Sequence, residues 1–185
     1  MLVLGAGLQG SACAYDLLQD PEVTEVRLAD HHLAHLPEFL APYSGPRLLP
    51  TTLDVRDHEA VLGAMRECDA VMSAIPYYFN YDMARLAVQA GVHFCDLGGN
   101  TEIVFKQKEL DADARRQNIT VVPDCGLAPG MVNILAEYGI QLCRCDRLRL
   151  SGRGVADPQL NTVVANVDER EALAVGVEAD PLDLR

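Results

Sequence analysis

The chain has 185 residues, enough for one well-buried core and a fraction of a second, and 49% of them are apolar, as in a globular protein. Its formal net charge of −12 argues against nucleic-acid backbone binding as the main activity, which needs clustered Lys and Arg; an acidic surface of this kind serves solubility. No segment has the length of a membrane span, and no charged-then-apolar leader precedes the first strand, so a cytoplasmic location without membrane contact is expected.

The first ten residues, Met1-Leu-Val-Leu-Gly5-Ala-Gly7-Leu-Gln-Gly10, run from a short apolar strand into a G-x-G-x-x-G turn. The small-then-bulky run Ser11-Ala-Cys-Ala-Tyr-Asp-Leu-Leu then predicts a helix packed on a sheet. Gly5 makes the tight turn and Gly7 leaves room for a pyrophosphate, which Leu8 and Gln9 meet at the helix start. Gly10 lets helix and strand approach. The first strand starts at Met1 itself, and a leading residue or two is expected before it. A second strand, Glu25-Val-Arg-Leu-Ala, ends in Asp30, about twenty residues beyond the last glycine, where the ribose-binding acid of a dinucleotide fold belongs.

Between His31 and Pro50 four prolines and Gly45 leave room for a short helix and loop. Thr51-Thr-Leu-Asp54-Val predicts a third strand, and Asp57 caps a helix with an apolar face of Ala60, Val61, Ala64 and Met65. The fourth strand is Ala70 to Ile75, stopped by Pro76, with Tyr77, Tyr78 and Phe79 at its carboxyl end and Asn80 as a cap for a helix that Gly91 terminates. Val92 to Asp96 is a fifth strand, a single long helix is expected from Thr101 to about Gln117, and Ile119 to Val122 is the sixth strand. Pro123-Asp124-Cys125-Gly126 follows, then a helix from Met131 to about Leu142. The alternation gives a doubly wound (Rossmann) α/β fold with a parallel sheet. Arg147 to Ser151 alternates polar and apolar residues and opens the start of a second, truncated α+β domain. The expected division is a nucleotide-binding domain over 1–145 and a partial substrate or dimerisation domain over 146–185.

In open α/β sheets ligands bind beyond the carboxyl ends of the strands, so the candidate cofactor residues are Gly5, Gly7, Leu8, Gln9, Gly10, Asp30, Asp54, Ile75, Pro76 and Tyr77. Asp30 either accepts ribose hydroxyls and repels a 2′-phosphate, which favours NAD over NADP, or is a solvated loop acid, and His31 and His32 after it are donors that a phosphate could still meet; Asp54 is either near the adenine or a turn residue. The candidate catalytic residues are Asp96, Asp124 and Cys125, at the ends of neighbouring strands. A carboxylate there relays protons or orients a water, or else bonds the amides of its glycine-rich turn. A thiol there is a proton donor, a nucleophile or a plain buried group. The six cysteines, Cys13, Cys68, Cys95, Cys125, Cys143 and Cys145, contain no C-x-x-C pair and no His at metal spacing, so no metal and no disulfide framework is expected.

Four segments, Val3 to Gly10, Ala74 to Tyr78, Ala90 to Asn100 and Val122 to Met131, together resemble the saccharopine dehydrogenase-like family, and within it the lysine 6-dehydrogenases most closely. Asp96-Leu-Gly-Gly-Asn and Pro123-Asp-Cys-Gly-Leu-Ala-Pro-Gly-Met are the most specific parts. The resemblance covers roughly residues 1 to 145. It implies an NAD(P)-dependent oxidoreductase acting on a CH–NH or CH–NH2 group of an amino acid, in a homo-oligomer whose second domain supplies the substrate pocket. Two alternatives stay open: a non-catalytic NAD(P)-binding module left by truncation, and a semialdehyde dehydrogenase-like enzyme with Cys125 as nucleophile.

Overall fold

Leu2, Val3 and Leu4 form strand β1 (Leu2–Leu4), each no more than 1% exposed. Such a run is tolerated only in a strand covered on both faces, and β1 is accordingly interior to a six-stranded sheet. In this computed structural model residues 1–33, 36–43 and 45–143 are described. The chain divides into two compact units, residues 1–126 and the residues from 127 onward. In the first unit helix α1 (Leu8–Leu17) leads to β2 (Val26–Asp30), a 3-10 turn over Glu38–Tyr43 and β3 (Leu48–Thr52). Helix α2 (His58–Met65), β4 (Ala70–Ser73), a 3-10 turn over Tyr77–Phe79, α3 (Asn80–Ala90) and β5 (His93–Asp96) follow. The unit closes with α4 (Thr101–Lys108), α5 (Asp111–Arg116) and β6 (Val121–Val122). All strands are parallel in the order β3-β2-β1-β4-β5-β6. The chain reverses direction across the sheet between β1 and β4, which makes their carboxyl ends the place where an open α/β sheet takes its ligand.

Side chains of β1 alternate between two cores. Leu2 and Leu4 join Val61, Met65, Met83, Ala87 and Phe94 on one face, and Val3 joins Ala14, Leu18, Leu28 and Leu40 on the other. Asp57 caps α2 as expected, accepting the Ala60 amide at 3.1 Å, although Ala60 itself is exposed and Val61 and Met65 carry the burial.

Three local expectations are corrected. The third strand begins at Leu48, three residues early, and takes in Pro50, because β3 is the sheet edge and an edge strand has outward amides to spare. The helix expected over 101–117 is two helices: the chain tightens to three-residue hydrogen bonds at Glu109 and Leu110, which turns Leu110 and then Ala114 into the core. Asn80 does not cap α3; it is the first helical residue, 1% exposed, and its side-chain oxygen accepts from Ser73 Oγ at 2.9 Å.

The second unit contributes α6 (Met131–Cys143), as expected from the sequence. The strand expected near Arg147 and the domain over 146–185 lie outside the described residues. No described helix is long and apolar enough to cross a membrane.

Candidate functional site

The glycine turn connects β1 to α1 with each glycine in a different situation. Gly5 has φ +97°, donates its amide to Ala29 O at 2.7 Å, and lies where a Cβ would come within 2.7 Å of Ala74 O and 3.2 Å of Ile75 Cγ2. At Gly10 a Cβ would stand 1.8 Å from Gly5 O, so α1 is seated on the strand end only because that side chain is absent. At Gly7 a Cβ would meet no protein atom within 4 Å. Nothing in the protein's own packing therefore calls for glycine at this position. Gly7 is also the N-terminal flank of α1 and provides no side-chain cap, which leaves the first-turn amides of Leu8, Gln9 and Gly10 without intrahelical acceptors. Leu8 and Gln9 are exposed beside them. This is the donor set and dipole that an oxyanion of a dinucleotide pyrophosphate requires.

Asp30 closes the other side of that turn. Its Oδ2 accepts the Ala6 amide at 2.8 Å; its Oδ1 accepts the His32 amide at 2.9 Å and lies 2.9 Å from His31 Nδ1. Burial alone would raise this carboxyl, but the amides of Ala6 and His32 and the neighbouring His31 bring it below the ordinary aspartate value. A carboxylate offers about four acceptor directions, and one on Oδ2 remains for a sugar hydroxyl. Asp54 differs. Arg56 binds it from the same turn through its amide at 3.0 Å, through Nε at 2.9 Å and through Nη2 at 2.6 Å, and holds its carboxyl down at about 2. Sequence reasoning missed Arg56, whose role rests on a two-residue turn that composition does not signal.

At the end of β4, Ile75 packs against Gly5 and Pro76 starts the 3-10 turn. Tyr77, 43% exposed, stands against the Gly98-Gly99 turn, where a Cβ on Gly99 would lie 3.0 Å from Tyr77 Cβ. The glycine turn, Ile75, Pro76, Tyr77 and the turn after β5 thus form one continuous rim.

Asp96, at the end of β5, is fully buried. Its Oδ1 accepts the amides of Gly98 at 2.7 Å and Asp124 at 3.1 Å, and its Oδ2 accepts Gln107 Nε2 at 2.6 Å. Burial raises this carboxyl above the ordinary value, more than the three donors lower it. Gln107, from α4, is a second residue that sequence reasoning missed; in a charged helix it looks like any exposed glutamine, and only the packing turns it inward. Asp124 has φ +62°, a left-handed conformation that Asp tolerates better than most residues. Its Oδ1 accepts the Gly99 amide at 3.3 Å and lies where a Cβ on Gly98 would be, 1.6 Å away. Cys125 donates its amide to Asp96 O at 2.8 Å, and its sulfur lies 3.9 Å from the carbonyl oxygens of Val122 and Pro123. The structure thus brings Asp96, Asp124 and Cys125 together at the ends of β5 and β6, two of them as ties between neighbouring turns. Among the described residues no group of three or more His, Cys, Asp or Glu is placed to hold a metal ion.

Comparisons with known proteins give the family. Over 136 residues the chain is 28% identical to saccharopine dehydrogenase (NADP(+), L-glutamate-forming) of Saccharomyces cerevisiae, covering 74% of this chain and 29% of the yeast enzyme. It is 26% identical over 145 residues to the mitochondrial alpha-aminoadipic semialdehyde synthase of Mus musculus, covering 78% of this chain and 15% of that protein. The chain therefore spans less than a third of the length of these relatives. Among solved structures, apo saccharopine dehydrogenase (L-Glu forming) from Saccharomyces cerevisiae superposes with a TM-score of 0.60 at 25% identity, covering 77% of this chain and 31% of that one. GenD2 from gentamicin A biosynthesis, in complex with NAD, superposes at 0.53 with 18% identity over 74% of this chain and 37% of its own, a likeness of fold alone. The profile described as the saccharopine dehydrogenase NADP binding domain matches residues 1–122, and the chain belongs to that family.

Proposed function

We propose that this chain supplies the nucleotide site of a nicotinamide-dependent oxidoreductase acting on a CH–NH or CH–NH2 group of an amino acid, with lysine and saccharopine as the substrate class. The observation that carries the proposal is the β1–α1 turn, where Gly7 faces no protein atom beside the uncapped start of α1. Family membership over the same residues supports it. The amides of Leu8, Gln9 and Gly10 would hold the pyrophosphate, Asp30 a ribose hydroxyl, and Ile75, Pro76 and Tyr77 would border the nicotinamide half. When bound, the nicotinamide exchanges a hydride with the nitrogen-bearing carbon. The chain's own residues orient and enclose. Asp96 is a positioning residue, since its carboxylate spends its acceptors on Gly98, Asp124 and Gln107. Asp124 and Cys125, at the end of β6, are the polar groups that this chain would offer to the reacting centre. Asp54 is assigned to fixing the Arg56 turn rather than to contacting adenine.

NAD is the proposed cofactor. Two ionised carboxylates, Asp30 and Asp54, stand at the ends of β2 and β3, and Arg56 is already matched by Asp54; a 2′-phosphate would be repelled. We expect NADH to bind at least about tenfold more tightly than NADPH, about 1.4 kcal/mol, and Asp30→Ala to remove most of that difference. Equal affinities in the parent chain would reject the NAD preference and leave the nicotinamide site standing. Reduced-cofactor formation with lysine and with saccharopine at alkaline pH tests the substrate class. A chain that binds cofactor and turns over neither amine rejects it. A homo-oligomer is also proposed, supported by the exposed Met131, Val132, Ile134, Leu135 and Tyr138 of α6. A single monomer species in sedimentation velocity would contradict it.

A further inference from the structure

Strands β1, β2 and β3 lie side by side, so the glycine turn, Asp30 and the residues after Thr52 follow one another along the carboxyl rim of the sheet. The chain leaves β3 directly beside Asp30: the Leu53 amide donates to Asp30 O at 3.0 Å. Leu53 and Val55 pack into the core, and Asp54 and Arg56 alternate with them toward solvent. The Asp57 amide donates to Asp54 O at 3.0 Å and closes the turn. Within it Arg56 Nε donates to both Asp54 oxygens, at 2.9 and 3.1 Å, and Nη2 donates to Oδ2 at 2.6 Å. Paired N–H···O bonds of this kind fix a guanidinium in one plane with its carboxylate. The Nε–Nη2 edge of Arg56 is thereby taken, while the flat faces of this side chain, 73% exposed, make none of these bonds.

We propose that the Arg56 guanidinium is the platform on which the adenine of the dinucleotide stacks, held flat for that purpose by Asp54. The proposal rests on the nicotinamide-dinucleotide reading above and extends it to the far end of the cofactor. With the pyrophosphate on the amides after Gly7 and the ribose at Asp30, the base falls one strand further out, at the end of β3. The turn that β3 runs into there is the one that carries Arg56. A guanidinium stacks on an aromatic face, which the point charge of a lysine does not do. Because Asp54 already fixes the group, little side-chain freedom is lost when the base arrives. The same pairing withholds two donors from a 2′-phosphate, which a guanidinium meets edge-on. Stacking reads the ring face and not its hydrogen-bonding edge, so the platform tolerates a change of the base's amino group.

The test is a set of fluorescence titrations of the full chain with NADH, with NADPH and with reduced nicotinamide hypoxanthine dinucleotide, in which the amino group of the base is replaced by oxygen. Arg56→Ala and Arg56→Lys are both expected to weaken NADH about fivefold with an unchanged melting temperature, and to weaken ADP-ribose, read as a competitor, by the same factor. The parent chain is expected to bind the hypoxanthine dinucleotide within about twofold of NADH. Arg56→Lys binding NADH as the parent does would show that charge and not the flat face is used, and would overturn the proposal. So would a hypoxanthine dinucleotide bound far more weakly than NADH, a loss of NADH that ADP-ribose does not share, or a loss confined to NADPH. Should one variant fail to fold, the other and the hypoxanthine titration of the parent decide. No saturable NADH binding by the parent would reject the nucleotide site itself and this platform with it, whereas the other contrary results reject Arg56 alone.

Discussion

Gly10→Ala is expected to destabilise the nucleotide-binding unit by about 3 kcal/mol and to abolish nucleotide binding with it, whereas Gly7→Ala keeps the fold and loses binding alone. The added methyl at residue 10 would stand 1.8 Å from Gly5 O and 2.9 Å from Gly5 C, both backbone atoms of a turn that is itself pinned to Ala29 and Ala74. Neither side can yield without lifting α1 from β1, which opens the core of Val3, Ala14, Leu18 and Leu28. Overpacking of this kind costs about 1–3 kcal/mol and more where the neighbour is rigid, which lowers the melting temperature by about 10 °C. At residue 7 the methyl meets nothing in the protein, so thermal unfolding should move by no more than about 1 kcal/mol, the ordinary cost of Ala at a helix cap. Its methyl would stand where the pyrophosphate must approach the backbone. Thermal melts and NADH titrations of both variants separate the two effects. Equal stability losses at the two positions would contradict the assignment of Gly7 to the ligand.

Asp96→Ala carries the second large effect. It removes the acceptor for the amides of Gly98 and Asp124 and for Gln107 Nε2. Buried donors left without partners cost about 1–3 kcal/mol each, so a loss of about 3 kcal/mol or more is expected from chemical denaturation, together with disorder of both turns. Asp96→Asn tests the charge separately. Burial raises the folded-state value of Asp96 above the ordinary 3.8, so between those two values the folded chain binds more protons than the unfolded one. Stability from this group is then greatest at low pH and falls as pH rises through that window. Asp30 and Asp54 act with the opposite sign. Their folded values lie below the ordinary one, so their contributions are present above it and are lost as pH falls. The difference between the parent and Asp96→Asn isolates Asp96. We expect the parent's denaturation midpoint to decline relative to the variant as pH rises from about 4; a parallel pair of curves would contradict the burial argument.

The elements that determine the nucleotide site were legible because they are local. Three apolar residues, a glycine turn and a small-residue helix start define the β1–α1 unit without help from the rest of the chain, and Asp30 follows at the spacing that a crossover helix imposes. Legibility ended where partners are distant in sequence or packing overrides a local signal. Pro50 spoke for a loop until the edge position of β3 made a proline acceptable. Nothing in Thr101 to Gln117 breaks a helix, yet the core's need for Leu110 divides it. Asp96 was identified as a polar group at a strand end, but its engagement depends on Gln107 eleven residues away and on amides two and twenty-eight residues away.

The central claim is that the turn around Gly7 binds a nicotinamide dinucleotide, and a fluorescence titration of NADH into the purified 185-residue chain tests it most directly. Saturable binding that NAD displaces and that Gly7→Ala weakens at least about tenfold, equivalent to 1.4 kcal/mol, is the predicted result. Absence of saturable binding by NADH and NADPH alike, with the chain folded, would contradict it.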